Sequence, residues 1–266
     1  AGVVATVGRQ YGMEPVIETG VFSAGDRELF RPLTPETQER YVESAAYMVA
    51  TDLRRAGITM NFAPVLDLYP REDSTIIGDR AFGGSDELVA RLGAAYIRGA
   101  MAAGVVPVAK HFPGHGVTTV DSHGSLPLSD ISLEELREAE LVPYRRVIAA
   151  GVPAIMTAHI LYEEVDPDYP ATLSPRFIRG LLREELGFDG VVVTDGFSMG
   201  ALTERYSRRE ALRQSFAAGV DLILIHARYD YAEVYTETLE MVREGEIEEA
   251  TVREGARRVL LLKARL

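Results

Sequence analysis

Short apolar runs alternate with longer segments of helical periodicity along the whole chain. A short, β-branched apolar run bounded by turn residues is typical of a buried strand, whereas apolar residues that recur every three or four positions indicate a helix. The pattern predicts strands over residues 3–7, 15–18, 59–66, 105–110, 154–159, 190–195 and 221–226. It predicts helices over residues 34–55, 86–103, 133–150, 175–186, 208–218, 231–243 and 247–264.

Local signals support the predicted helix ends. Thr34-Pro35 places proline at a first helical position, and Ser132-x-x-Glu135 and Ser207-x-x-Glu210 have the form of capping boxes. Glycines suited to C-terminal caps stand just past five helices, at positions 57, 104, 151, 187 and 219. Strands that alternate with helices in this way predict right-handed crossovers and a parallel sheet, within a single domain over residues 1–266.

Polar side chains lie at the carboxyl ends of several predicted strands. They are Asp67, Lys110, His111, His159, Asp195 and His226. Polar groups that converge from many strands are typical of a (β/α)8 barrel, whereas an open sheet gathers its ligands at one switch point. We therefore expect an α/β fold of the TIM (β/α)8 type, shortened or irregular at the N-terminus because only seven strands are found.

Composition narrows the classes of partner. The 266 residues are 47% hydrophobic, enough for one large core, and 40 acidic residues outnumber 28 basic ones, for a net charge of -12. This balance argues against nucleic acid as a partner, and no apolar run approaches the roughly 20 residues of a membrane span. The absence of cysteine fits a reducing compartment, so we expect a cytoplasmic location, with secretion or a lipoprotein as the alternative. Ala1 is not an initiator methionine, and we expect that an upstream part was removed.

Several candidate catalytic residues lie in one segment, residues 110–127, with the sequence KHFPGHGVTTVDSHGSLP. It holds three of the five histidines, and Asp121 stands two positions before His123, close enough to orient an imidazole. Directly after an apolar strand, such a segment indicates a catalytic loop. His111 and His115 can instead serve only to hydrogen-bond the turn, and the segment shows none of the known zinc-ligand spacings.

Two further signatures carry carboxylates and a cation. The run GVVVTDGFSMG presents Asp195 at a strand end as a nucleophile, a base or a metal ligand, or as a cap for the next helix. NFAPVLD ends in Asp67 and is followed by GDRAFG, where Arg80 can hold a hydroxyl or carboxylate, or form a surface ion pair. His159 fits either a site residue or a buried, hydrogen-bonded histidine, and His226 is predicted to be peripheral.

Taken in order, APVLD, GDRAFG, KHFPGHG with DSH, and VVVTDGFSMGA resemble the glycoside hydrolase family 3 β-N-acetylhexosaminidases over about residues 36–266. The resemblance implies that Asp195 is a nucleophile that forms a covalent glycosyl-enzyme intermediate, so that the sugar leaves with retained configuration. It assigns His123 as general acid/base with Asp121 as its dyad partner, and His115 to loop stabilisation. The implied substrate-binding residues are Arg80, Lys110, His111, Asp67 and Met199, with no metal and no cofactor.

The N-terminal region departs from the family. The family's DQEGGRV-like motif, whose Asp holds sugar hydroxyls, has no clear equivalent within residues 14–27, where Glu18 and Asp26 are the candidates. A missing first unit implies a shortened barrel, a truncated chain, or completion by a partner chain, and a homodimer would cover the open sheet edge.

The predicted function is that of a retaining exo-β-N-acetylglucosaminidase acting on peptidoglycan- or chitin-derived amino sugars. One alternative is the corresponding phosphorylase, because a neutral imidazole does not repel phosphate as a carboxylate would. Others are an inactive amino-sugar-binding barrel and a metal-dependent barrel hydrolase.

Overall fold

A parallel five-stranded sheet forms the centre of the computed structural model, which describes residues 33–68, 77, 80–115, 125–225 and 229–265. The strands are β1 (Met60–Asn61), β2 (Val106–Phe112), β3 (Leu128–Ser129), β4 (Ala154–Thr157), β5 (Leu161–Tyr162), β6 (Val191–Gly196) and β7 (Leu222–Leu224). The main sheet has the order β1-β2-β4-β6-β7, and β3 pairs with β5 in a small second sheet. The α/β class and the parallel sheet are thus confirmed. Closure into eight strands stays a prediction, and the predicted strands 3–7 and 15–18 lie outside the described residues.

The predicted strand over 59–66 is interrupted. It pairs with β2 at Met60 and Asn61 and again through a single bridge between Val65 and Lys110. Pro64 lies between these points and has no N–H to donate to a ladder, although its carbonyl accepts from the Lys110 N–H at 3.0 Å. Conversely, β2 continues two residues past its predicted end to Phe112, and β4 stops two residues early at Thr157.

Helices cover the sheet between its strands. They are α1 (Pro35–Arg55), α2 (Asp86–Ala102), α3 (Leu133–Glu138), α4 (Leu141–Ala149), the π-type helix α5 (Arg176–Glu185), α6 (Gly200–Thr203), α7 (Arg208–Ala218), α8 (Tyr231–Arg243) and α9 (Glu249–Lys263). The glycines predicted as C-terminal caps, residues 57, 104, 151, 187 and 219, all have positive φ. None of the described helices is long and apolar enough to cross a membrane.

The single helix predicted over 133–150 is wrong, because the chain forms α3 and α4 with a break at Ala139 and Glu140. Its beginning is as predicted, since Ser132 and Glu135 form a reciprocal capping box. Pro143 accounts for the break: it has no N–H to donate to the carbonyl of Ala139, four residues earlier. Glu140 consequently becomes the N-cap of α4 instead of a residue within a continuous helix.

Adjacent residues of each central strand face different cores. Ala109, Ile155 and Val192 belong to the large core packed against the helices. Their neighbours Val108, Met156 and Val193 belong to a separate core on the opposite face of the sheet. Burial on both faces explains why these strands read as nearly continuous apolar runs.

A network of largely buried charged side chains lies at the amino-terminal edge of the sheet. The Asp221 side chain, only 2% exposed, binds Arg183 at 2.7 Å and Arg258 at 3.0 Å, and it accepts the backbone N–H of Val192 at 2.8 Å. The network joins β6, β7, α5 and α9 at the edge opposite the predicted functional residues. The buried Asp221 carboxylate thus has two cationic partners and a backbone N–H, which offset the cost of burying its charge.

Candidate active site

Asp67 is a completely buried carboxylate at the carboxyl edge of the sheet. One oxygen accepts the backbone N–H groups of His111, at 3.2 Å, and His115, at 2.7 Å, and the other lies 2.7 Å from Nδ1 of His111. Burial alone would raise the pKa of Asp67, but the neighbouring histidines and these hydrogen bonds lower it to about 2. Asp67 is therefore ionised at neutral pH and fixes both the His111 ring and the start of the following loop.

His111 connects this buried carboxylate to the end of the neighbouring strand β6. Since an ionised carboxylate only accepts hydrogen bonds, Nδ1 of His111 carries the proton that faces Asp67. Nε2 is left facing the Oδ2 atom of Asp195 at 3.9 Å. The prediction that polar residues from separate strand ends converge on one face is confirmed for Asp67, His111 and Asp195.

Asp195 is the more accessible of the two carboxylates. Its side chain is 21% exposed, and Oδ1 accepts the Gly196 N–H at 2.7 Å. Burial would raise its pKa, but His111, His159, the Gly196 N–H and Lys110 together lower it. An ionised carboxylate with an open face suits a nucleophile, whereas Asp67 has no exposed surface from which to meet a substrate.

His159 follows β4 and lies beside the end of β6. Its Nε2 donates to the carbonyl oxygen of Gly196 at 3.2 Å, and its ring is 1% exposed. Burial lowers the pKa of His159, against the opposing effect of Asp195. The ring is thus buried and bonded to the end of β6 through Nε2, whereas its Nδ1 atom has no hydrogen-bond partner among the described residues, so a site role stays a prediction.

Lys110 and Arg80 add positive charge beside Asp195. Burial lowers the pKa of Lys110, Asp195 counteracts that effect, and Arg80 lowers the pKa further, so the three charges lie near one another. Arg80 is half-buried, and its Nε donates to the carbonyl of Ile77 at 3.4 Å. The arrangement places Lys110 and His111 beside one accessible carboxylate, with Arg80 near Lys110, and all three side chains can hydrogen-bond hydroxyl groups.

Other predicted residues fall in different places. Met199 is buried at the N-cap of α6, with its N–H bonded to the Gly196 carbonyl at 3.0 Å. Its contact with substrate stays a prediction. The proposed dyad of Asp121 and His123 lies outside the described residues, as does His226.

Sequence reasoning missed a layer of buried polar groups behind the site. Glu140, Tyr144 and Tyr162 are at most 2% exposed, and the Tyr162 hydroxyl donates to the Gly114 carbonyl. The apolar periodicity predicts Glu140 within a continuous helix, and Pro143, three residues later, is the signal that a new helix begins. Within the described ranges no group of His, Asp or Glu side chains has an arrangement suited to a metal ion.

Comparison with known proteins identifies the family. The model described as the glycosyl hydrolase family 3 N terminal domain matches residues 29–262. The chain belongs to glycosyl hydrolase family 3.

Relatives of this family 3 chain include a β-hexosaminidase of Pseudomonas aeruginosa, 41% identical over 187 residues that make up 70% of this chain and 55% of the relative. Among solved structures, a family 3 β-N-acetylglucosaminidase from Paenibacillus matches with a TM-score of 0.83 and 45% identity, over 85% of this chain and 44% of that one. A β-glucoside phosphorylase matches with a TM-score of 0.80 and 26% identity, over 93% of this chain and 44% of that one. The chain thus spans about half the length of these relatives.

Proposed function

We propose that this family 3 chain is a retaining exo-β-N-acetylglucosaminidase that acts on peptidoglycan- or chitin-derived amino sugars. The names of its relatives support the substrate class. The observation that carries the chemistry is the accessible, ionised Asp195, 3.9 Å from an imidazole that Asp67 holds in place.

In the proposed first step, Asp195 attacks the anomeric carbon and forms a covalent glycosyl ester as the bond to the aglycone breaks. His123, supported by Asp121, protonates the leaving oxygen and then removes a proton from the incoming water, so that two inversions give net retention. Lys110, Arg80 and Nε2 of His111 are proposed to bind sugar hydroxyls around this carboxylate. The positive charge of Lys110 helps to keep Asp195 ionised and ready to attack.

The decisive assay compares p-nitrophenyl N-acetyl-β-glucosaminide with the β-glucoside. The parent should cleave the amino sugar preferentially, and Asp195→Asn should be essentially inactive. Asp189→Asn is a matched control because it makes the same substitution at an exposed position just before the same strand, and it should behave like the parent. If the parent cleaves neither substrate, the remaining interpretation is an inactive barrel that binds amino sugars. Full activity of Asp195→Asn would exclude Asp195 as the nucleophile.

The covalent step and the dyad need separate measurements. With Asp195→Ala, azide should restore turnover and yield the α-glycosyl azide, whereas the parent should release the β-anomer first by NMR. His123→Ala should lose about 10²- to 10⁴-fold in kcat, and less with a good leaving group. Chitobiose and a muropeptide disaccharide, compared as substrates, test the natural source of the sugar.

Phosphorolysis is a second candidate, supported by the similarity to a β-glucoside phosphorylase. A neutral histidine acid/base lets an anion approach the glycosyl ester where a carboxylate would repel it. Added phosphate should then convert the product from free sugar to sugar 1-phosphate. A product that stays free sugar at every phosphate concentration assigns the chain as a hydrolase.

A further inference from the structure

Glu140 lies directly behind the candidate active site although it comes from the helical layer. It occupies the N-cap of α4, at the break that Pro143 creates, and is 2% exposed. Its side chain does not cap its own helix. The carboxyl group instead reaches towards the carboxyl edge of the sheet.

There the Glu140 carboxyl group contacts two separate segments of backbone. It accepts the N–H of Leu68, the residue after Asp67. It also lies so close to Gly114, the residue before His115, that a Cβ at position 114 would collide with Oε2. The same two segments are joined on their other side by the bond from the His115 N–H to Asp67.

The groups that surround Glu140 indicate which form of the acid is present. The facing titratable groups are Asp67 after β1, Tyr144 on α4 and Tyr162 on β5. Burial and the negative charge of Asp67 raise the pKa of Glu140 to about 8, so the carboxyl group is largely neutral at pH 7. Within the described part of the chain, Oε2 of Glu140 and the Tyr144 hydroxyl have no hydrogen-bond partner.

We propose that Glu140 is a positioning residue of the sugar site, whose buried side chain holds the Leu68 segment against the Gly114 turn and so sets Asp67 and His111 relative to Asp195. The inference rests on the proposed function, because its readout is turnover of the amino sugar. In this role Glu140 acts on Asp195 only through the Asp67–His111 pair.

The test compares Glu140→Gln and Glu140→Leu with Leu212→Ala, which removes a buried side chain in a different core, on α7. Urea unfolding first establishes how much each variant is destabilised. Glu140→Leu should lower kcat/KM about 10- to 100-fold, as a displacement of about 1 Å near reacting groups does, whereas Glu140→Gln should stay within about threefold of the parent. Leu212→Ala should lose stability but keep its kcat/KM, because a purely structural loss leaves the folded site intact.

Two results would overturn the proposal. One is a folded Glu140→Leu variant with the kcat/KM of the parent; the other is a Glu140→Gln variant as impaired as Glu140→Leu. If Glu140→Leu does not fold, Glu140→Asp takes its place: the shorter side chain keeps a carboxyl group but no longer spans the distance to both segments, so kcat/KM should fall at least threefold below that of Glu140→Gln. A folded Glu140→Asp variant with the kcat/KM of the parent would refute the proposed contact. Failure of the proposed function is separate, because it would appear as an inactive parent or a fully active Asp195→Asn.

Discussion

Replacement of Asp67 by asparagine tests how the site is held together. An amide can still accept the N–H groups of His111 and His115 through its oxygen, but its NH2 group then faces Nδ1 of His111. Two donors cannot share that 2.7 Å contact, so a neutral His111 ring must move its proton to Nε2. The proton would then face Asp195 and the proposed sugar hydroxyl.

The structure gives the size of the expected loss in stability. The pKa of Asp67 falls from 3.8 to about 2 on folding. At about 1.4 kcal/mol for each tenfold change in proton affinity, this difference corresponds to about 2.5 kcal/mol of folding free energy at pH 7. Because the folded pKa is depressed, the contribution is complete above pH 3.8 and is lost as the pH falls through 2.

Urea unfolding at several pH values and steady-state kinetics measure the two effects. Asp67→Asn should be about 2.5 kcal/mol less stable than the parent at pH 7, and the difference should shrink towards pH 2. Its kcat/KM should fall about 10- to 1,000-fold; a related carboxylate-to-amide change beside the histidine of serine proteases costs about 10⁴ in kcat. Asp189→Asn, an exposed Asp-to-Asn change, is the control. A stability difference that is the same at pH 7 and pH 2, or an unchanged kcat/KM, would refute this account of Asp67.

Three further predictions concern charge. Lys110→Met removes a cation that lowers the pKa of Asp195, so the acid limb of the profile of kcat/KM against pH should move to higher pH. An acid limb at the same pH as in the parent would contradict the effect of Lys110 on Asp195. Asp221→Ala leaves Arg183 without its buried partner and should lower the free energy of unfolding in urea by roughly 3 kcal/mol. Its kcat/KM should equal that of the parent. A changed kcat/KM would show that the two edges of the sheet are coupled. The pKa of Glu140 is raised to about 8 in the folded protein, against 4.5 when unfolded, so its contribution to the free energy of unfolding should be lost as pH rises from 4.5 to 8. Glu140→Gln should not show this loss. Parallel plots of unfolding free energy against pH for the parent and the variant would contradict a neutral Glu140.

The sequence predicted those parts of the fold that local chemistry determines. The helices α1, α2 and α7 begin where Thr34, Ser85 and Ser207 accept backbone N–H groups, and their apolar periodicity is unbroken. The short strands β3 and β5 were not predicted, because two residues carry no periodic signal and their pairing depends on the tertiary fold.

The same distinction applies to the candidate site. Asp67, His111 and Asp195 were predicted to meet because parallel strands bring their carboxyl ends to one edge. The detailed contacts were not predictable, since the bonds from Asp67 to the backbone of residues 111 and 115 depend on how the turn is placed. Glu140 was missed because its burial follows from a helix break that a single proline produces.

The distance between the Asp221 network and the carboxyl edge has a practical consequence for engineering. Asp221, Arg183 and Arg258 tie strands to outer helices at the edge opposite Asp195. Substitutions that reinforce this ion-pair network can be screened for heat resistance alone, since they leave the proposed sugar-binding groups unchanged. Variant libraries designed for new glycoside substrates can then start from a stabilised protein, which tolerates destabilising substitutions near Lys110 and Arg80.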